Sequence, residues 1–167
     1  MTDVLVAFAS RHGATEELAH AIATELSHGG LSVDVRPMDE VDAPASYSAY
    51  VLGSAVYMGS WLPAGRVFLD RNRRLLAGRP TWLFSSGPIA EPPLDAAGGF
   101  DAAGLVAAVH ARDHHLFGGR LDRDSLSAPE RLLARLARVP YGDYRDLAIA
   151  TAWATAISRA LAAERVA

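Results

Sequence analysis

Val4 to Ala9 is a short, wholly apolar run that stops abruptly at Ser10, after which Leu18, Ile22 and Leu26 recur at helical spacing. The run is rich in β-formers and carries no polar alternation, so it reads as a strand buried on both faces. The helix that follows must lay its apolar stripe back across that strand. Between the two lies a small polar loop of Ser10, Arg11, His12, Gly13, Ala14 and Thr15. It opens onto a helix N-terminus, where the first-turn N–H groups lack partners and the helix dipole is positive. Such a loop suits an anion, and Gly13 lets backbone approach a ligand where a Cβ would intrude. The plainer alternative is a βα turn with an ordinary Ser/Thr cap.

The same alternation continues to the end of the chain. Leu31 to Val35 alternates as a half-buried strand suited to a sheet edge. Tyr50 to Ser54 is a third strand, breaking into Ala55-Val56-Tyr57-Met58-Gly59-Ser60-Trp61; a helix follows from Pro63. Thr81 to Phe84 is a fourth strand, running into Ser85-Ser86-Gly87-Pro88 and a loop rich in proline and glycine up to Gly99. A short helix over about Asp101 to Ala111 precedes a fifth strand, His114 to Gly118. Pro129 opens a further helical segment, with Leu132, Leu133 and Leu136 against Arg131, Arg135 and Arg138. Asp143 reads as the N-cap of a terminal helix carrying Leu147, Ala150, Ala154, Ile157 and Leu161 on one stripe.

Short right-handed crossovers then give an α/β fold, a three-layer αβα sandwich on a five-stranded parallel sheet. If the strand order is 2-1-3-4-5, ligands bind where the order reverses, at the carboxyl ends of the strands. The loops at that edge are Ser10 to Thr15, Ser54 to Trp61 and Ser85 to Glu91, the three with unusual chemistry.

Several functions are excluded or disfavoured. The chain has no lysine, its sixteen basic residues all being arginine, so the loop after the first strand is no nucleotide-triphosphate P-loop. It lacks the Gly-x-Gly-x-x-Gly of a dinucleotide fold, and the carboxylate cluster and strand-ending Asp of a response regulator. Without cysteine there are no disulfides, thiolate nucleophiles, iron–sulfur clusters or usual zinc sites. The six histidines are scattered, and His114 and His115 face opposite ways on one strand, which argues against a metal site. A net charge of −3 gives no pull toward nucleic acid. The 167 residues fit one domain, expected to span 1–167 with an insertion at about 121–142. Met1-Thr2-Asp3 leads straight into strand and no apolar run reaches membrane length, so a cytoplasmic protein is expected.

The loop after the first strand resembles the phosphate loop of flavodoxins, roughly [ST]-x-[ST]-G-x-T, with Ser10, Gly13 and Thr15 fitting and His12 replacing a hydroxyl residue. That resemblance implies FMN as cofactor. Ser10, Arg11, His12, Gly13, Ala14 and Thr15 would hold its phosphate, Arg11 alternatively being a solvated loop residue. Ala55, Val56 and Tyr57 would line the isoalloxazine ring, with Tyr57 at the matching offset from Gly53 for stacking. Trp61 is the second candidate there, and either aromatic alternatively serves the core. Ser85, Ser86, Gly87 and Pro88, with the backbone of Ile89, would meet the pyrimidine edge.

Ala9 to Thr15, Gly53 to Gly59 and the segment before the terminal helix are also similar to the menaquinone-dependent protoporphyrinogen dehydrogenases. In that family a basic helical insertion after the fifth strand is associated with activity and membrane contact; Arg123 to Val139 takes its place here. The resemblance implies a flavoprotein oxidoreductase of heme biosynthesis, acting on a porphyrinogen with a quinone acceptor. Weak peripheral contact at the inner face of a membrane is a further expectation. No catalytic side chain defines that activity. The alternatives are a flavodoxin-like carrier between redox proteins and a binding module without flavin.

Overall fold

A computed structural model describes residues 3–87, 100–136, 141–143 and 145–166, with the backbone alone at Leu121. The elements are β1 (Asp3–Ala9), α1 (Ala14–His28), β2 (Ser32–Pro37), β3 (Ala49–Tyr57), β4 (Ser60–Trp61), α2 (Pro63–Ala77) and β5 (Thr81–Gly87). There follow α3 (Ala102–Val109), β6 (Asp113–Gly118), β7 (Arg120–Leu121), α4 (Ala128–Leu136), β8 (Gly142–Asp143) and α5 (Leu147–Glu164).

Five parallel strands run in the order β2-β1-β3-β5-β6, which is the 2-1-3-4-5 arrangement of the expected fold. β1 and β3 sit centrally and are buried on both faces, as their unbroken apolar runs demand. β2 takes the edge, where its polar alternation leaves it only half-buried. Two cores result. On one side Leu18, Ile22 and Leu26 of α1 and Trp153, Ile157 and Leu161 of α5 pack on Val4, Val6 and Phe84. On the other, Phe68, Leu69 and Leu76 of α2 and Val109 of α3 cover Leu5, Leu52 and Leu83.

Gly53 is fixed by one such packing: a Cβ there would lie 2.1 Å from the Phe84 ring of the neighbouring strand. The aromatic crosses the sheet because this position has no side chain.

Three details differ from the sequence reading. β3 continues to Tyr57 and folds back antiparallel into β4, pairing Val56 with Trp61 and Tyr57 with Ser60. β5 reaches Gly87, so Ser85 and Ser86 are strand residues and not loop. Asp143 is no helix cap: it lies in β8, paired with Arg120 of β7, while Asp146 caps α5 by accepting from the N–H groups of Ala148 and Ile149. Asp146 wins because its carboxylate stands at the spacing that reaches the orphan first-turn donors.

Candidate functional site

The loop after β1 is built around Ser10. Its Oγ accepts from the Gly13 N–H at 3.0 Å, curling the chain into a tight turn, and Gly13 sits at φ 84, in the left-handed region. A Cβ at Gly13 would meet nothing within 4 Å, so conformation and not space calls for glycine there. Gly13 is the N-cap of α1 and no side chain closes that cap, in contrast to the Ser/Thr cap of the plainer reading. The first-turn N–H groups therefore receive no acceptor from a cap side chain. Ala14 is half-buried beside them. Thr15 is buried, and its Oγ1 shares a 2.6 Å hydrogen bond with Ser86 Oγ on β5.

The second loop is the β3–β4 hairpin. Met58 and Gly59 both have positive φ, 51° and 73°, the conformation two-residue hairpins favour. The turn sends Trp61 inward, where it is 2% exposed and donates Nε1–H to Ser85 Oγ at 2.7 Å. Ser85 Oγ is in turn 2.8 Å from His114 Nε2. Trp61 thus belongs to the core, with its polar edge satisfied. Tyr57 stays on the rim with Ala55 and Val56, all three half-buried, and the Arg11 guanidinium lies 4.7 Å from the centre of its ring.

The third group ends β5. Successive residues point to opposite faces, so Ser86 reaches Thr15 while Ser85 reaches Trp61. Gly87 closes the strand; Pro88 and Ile89 lie outside the described residues. All three groups meet at the carboxyl edge of β1, β3 and β5, flanking the point where strand order reverses.

One residue at this edge was not anticipated. Glu130 of α4 is 8% exposed, with Oε1 2.6 Å from Arg11 Nε and 3.4 Å from His12 Nε2. Its other oxygen, Oε2, accepts from the Ser127 N–H at 2.8 Å. That bond holds the carboxyl below its ordinary range, with the charges of Arg11 and His12 acting in the same direction and burial opposing. The signal was present as Ser127-Ala128-Pro129-Glu130, a capping-box spacing that turns the glutamate back toward the helix start. Glu130 is the buried member of this helix, whereas Leu132, Leu133 and Leu136 are exposed, Leu136 to 71%. Arg131 and Arg135 are exposed beside them, and Arg138 lies outside the described residues.

The base of the insertion is tied separately. β7 and β8 bring its ends together, and Arg145 pairs with Asp143 at 2.6 Å and with Glu17 in the first turn of α1. Arg120 is 3.5 Å from the same Glu17. Hydrogen bonds from Arg145 pull the Asp143 carboxyl down from 3.8 to about 2. Among the described residues no helix is long and apolar enough to cross a membrane.

Comparison with known proteins agrees with this fold. A family model described as a flavodoxin domain matches residues 5–146. Protoporphyrinogen IX dehydrogenase [quinone] of Escherichia coli K12 is 28% identical over 91 residues, 53% of this chain and 50% of that protein. The match thus spans about half the length of that curated relative. Rubredoxin oxygen:oxidoreductase from Desulfovibrio gigas superposes with a TM-score of 0.66 at 15% identity, over 100% of this chain and 38% of that one. A flavodoxin from the domain Archaea superposes with a TM-score of 0.55 at 18% identity, covering 83% of this chain and 97% of the other. At these identities the superpositions speak for the fold alone.

Proposed function

The chain belongs to the flavodoxin-domain family, and on that premise we propose that it is an FMN-binding oxidoreductase of the protoporphyrinogen dehydrogenase type, using a quinone as acceptor. The observation that carries the cofactor assignment is the uncapped start of α1. First-turn N–H groups without a side-chain cap, a left-handed Gly13 and a partly exposed Tyr57 stand together at the topological switch point. These residues fit a phosphorylated flavin.

In this reading the loop from Ser10 to Thr15 receives the phosphate on backbone N–H groups, with Arg11 and His12 at its rim beside Glu130. Tyr57 offers a flat wall that excludes water from one ring face, and Ala55 and Val56 extend that wall. The backbone of Ser85 and Ser86 is paired on both sides within the sheet, so at this edge it is Gly87, beyond the last pair with β3, that offers polar groups for the pyrimidine edge. The Thr15–Ser86 bond locks phosphate loop and β5 together, so both ends of the cofactor are held on one rigid sheet edge. When bound, FMN supplies hydride and single-electron chemistry, which no side chain here provides.

The single domain of 1–167 carries the insertion as the part that distinguishes an enzyme from a carrier. Its exposed leucines flanked by Arg131 and Arg135 suit an anionic, largely apolar substrate, or the surface of an acidic membrane at the cytoplasmic face. Each arginine near such a surface is worth about 1 kcal/mol, so contact is weak and salt-sensitive.

Titration of the apo-protein with FMN and riboflavin tests the cofactor reading: FMN binds at micromolar or tighter concentration and riboflavin more weakly. Equal affinities would remove the phosphate-loop assignment. Replacing 122–141 with a short Gly/Ser linker should leave FMN bound and lower flavin-dependent oxidation of protoporphyrinogen by a quinone. A flavin-loaded protein without that oxidation, before any replacement, would point to an electron carrier.

A further inference from the structure

Glu130 places a buried carboxylate against the two basic side chains of the anion loop, and its oxygens do different jobs. Oε2 serves the helix that carries it, accepting from Ser127 N–H, which would explain a glutamate at this position by itself. Oε1 has no such use. It is buried, makes no hydrogen bond of good geometry, and faces Arg11 Nε and His12 Nε2 as an ion-pair partner. Leu132, Leu133 and Leu136 being exposed, the helix does not seat itself on the domain by its apolar stripe; its buried residue is the charged one.

We propose that Glu130 is a resident counter-anion of the loop, holding the insertion in place through Arg11 and His12 and setting how strongly the loop prefers a phosphorylated ligand over a neutral one. This deepens the cofactor reading and rests on it for the ligand. With Glu130 in place, the charge of Arg11 is already largely neutralised and its guanidinium is held over Tyr57. An arriving phosphate meets the helix N-terminus and a loop whose basic charge is spent. Without the carboxylate the same loop presents Arg11 unpaired, and in a partly buried site a unit charge is screened far less than in bulk water.

Glutamine separates the two jobs, because its amide oxygen can still accept from Ser127 N–H while the negative charge is gone. Glu130→Gln is expected to tighten FMN binding on the order of tenfold and leave riboflavin within about twofold, a split that loss of packing alone does not produce. Arg11→Gln should weaken FMN, and the double variant should return near the wild-type ratio. Glu130→Asp, which keeps the charge, should stay closer to wild type than Glu130→Gln does. An FMN-to-riboflavin ratio unchanged in Glu130→Gln, in a wild type that does bind FMN selectively, overturns the proposal while leaving the cofactor reading intact. Failure of the wild type to prefer FMN removes the cofactor reading instead. The cofactor-free chain then decides the rest by amide exchange over 128–136. Exchange there should rise several-fold in both Arg11→Gln and Glu130→Gln, and in wild type on adding inorganic phosphate. Unchanged exchange in both variants overturns the proposal without any flavin.

Discussion

Thr15 Oγ1 and Ser86 Oγ share a 2.6 Å hydrogen bond that joins the first turn of α1 to the end of β5, 71 residues further along the chain. Both hydroxyls are buried, so removing either one strands the other. Thr15→Val or Ser86→Ala should each cost about 1–3 kcal/mol in urea unfolding, and the double variant less than the sum. Strictly additive losses would show that the two hydroxyls act independently.

Tyr57 and Trp61 differ in burial, half-buried against 2% exposed, which their sequence positions alone leave open. Tyr57→Ala should relieve the quenching of bound flavin emission while leaving global stability nearly intact, since the side chain is only half-buried. Trp61→Ala removes a buried indole and its bond to Ser85, and should cost about 3–5 kcal/mol. Emission that responds to Trp61 and ignores Tyr57 would reverse the assignment.

Asp143 makes the base of the insertion acid-sensitive in a defined window. Its carboxyl is depressed to about 2 by hydrogen bonds from Arg145, so the clamp is complete above the ordinary value near 3.8 and is lost as pH falls from there through about 2. Asp143→Asn should therefore be less stable than wild type at neutral pH, with the difference closing over that window. A gap that persists at pH 2 would assign the effect to packing and not to charge.

Met58 tips the β3–β4 turn at φ 51, a region that disfavours a side chain with a Cβ, and it is 80% exposed. Nothing is lost by removing it and the strain is relieved. Met58→Gly or Met58→Asn should raise stability by roughly 1 kcal/mol, measured as a shift in urea midpoint without a change in slope. A destabilised Met58→Gly would mean that the exposed thioether makes a contact of its own.

The architecture was legible because burial writes directly into the sequence. Val4 to Ala9 and Tyr50 to Leu52 are apolar without alternation because both faces of β1 and β3 are covered, whereas Ser32 to Pro37 alternates because β2 has one neighbour. The parallel sheet followed from short right-handed crossovers, and the meeting of three loops from taking the order 2-1-3-4-5. The detailed contacts were not legible. Ser85 and Ser86 look alike in sequence, and only the alternation of β5 sends one to Trp61 and the other to Thr15. Arg11 was expected either to hold the phosphate or to be a solvated loop residue, and its ion pair with Glu130 was hidden because that partner lies 119 positions away on another element. Asp143 and Asp146 both have the chemistry of a helix cap, and pairing with β7 decides between them. In each case the choice is made by a partner remote in the chain, which local pattern cannot encode.

The ribbon of β7 and β8 has an architectural consequence. The chain departs from the sheet at Arg120 and returns at Asp143, directly opposite, so everything between them hangs from a closed neck. Lengthening a loop whose ends are already joined costs little, about 0.6 kcal/mol for each doubling. The neck therefore acts as a socket into which polypeptide of very different length and chemistry can be grafted without disturbing the sheet. What such a graft presents beside the crevice also reaches into it, as Glu130 does by pairing with Arg11 of the first loop.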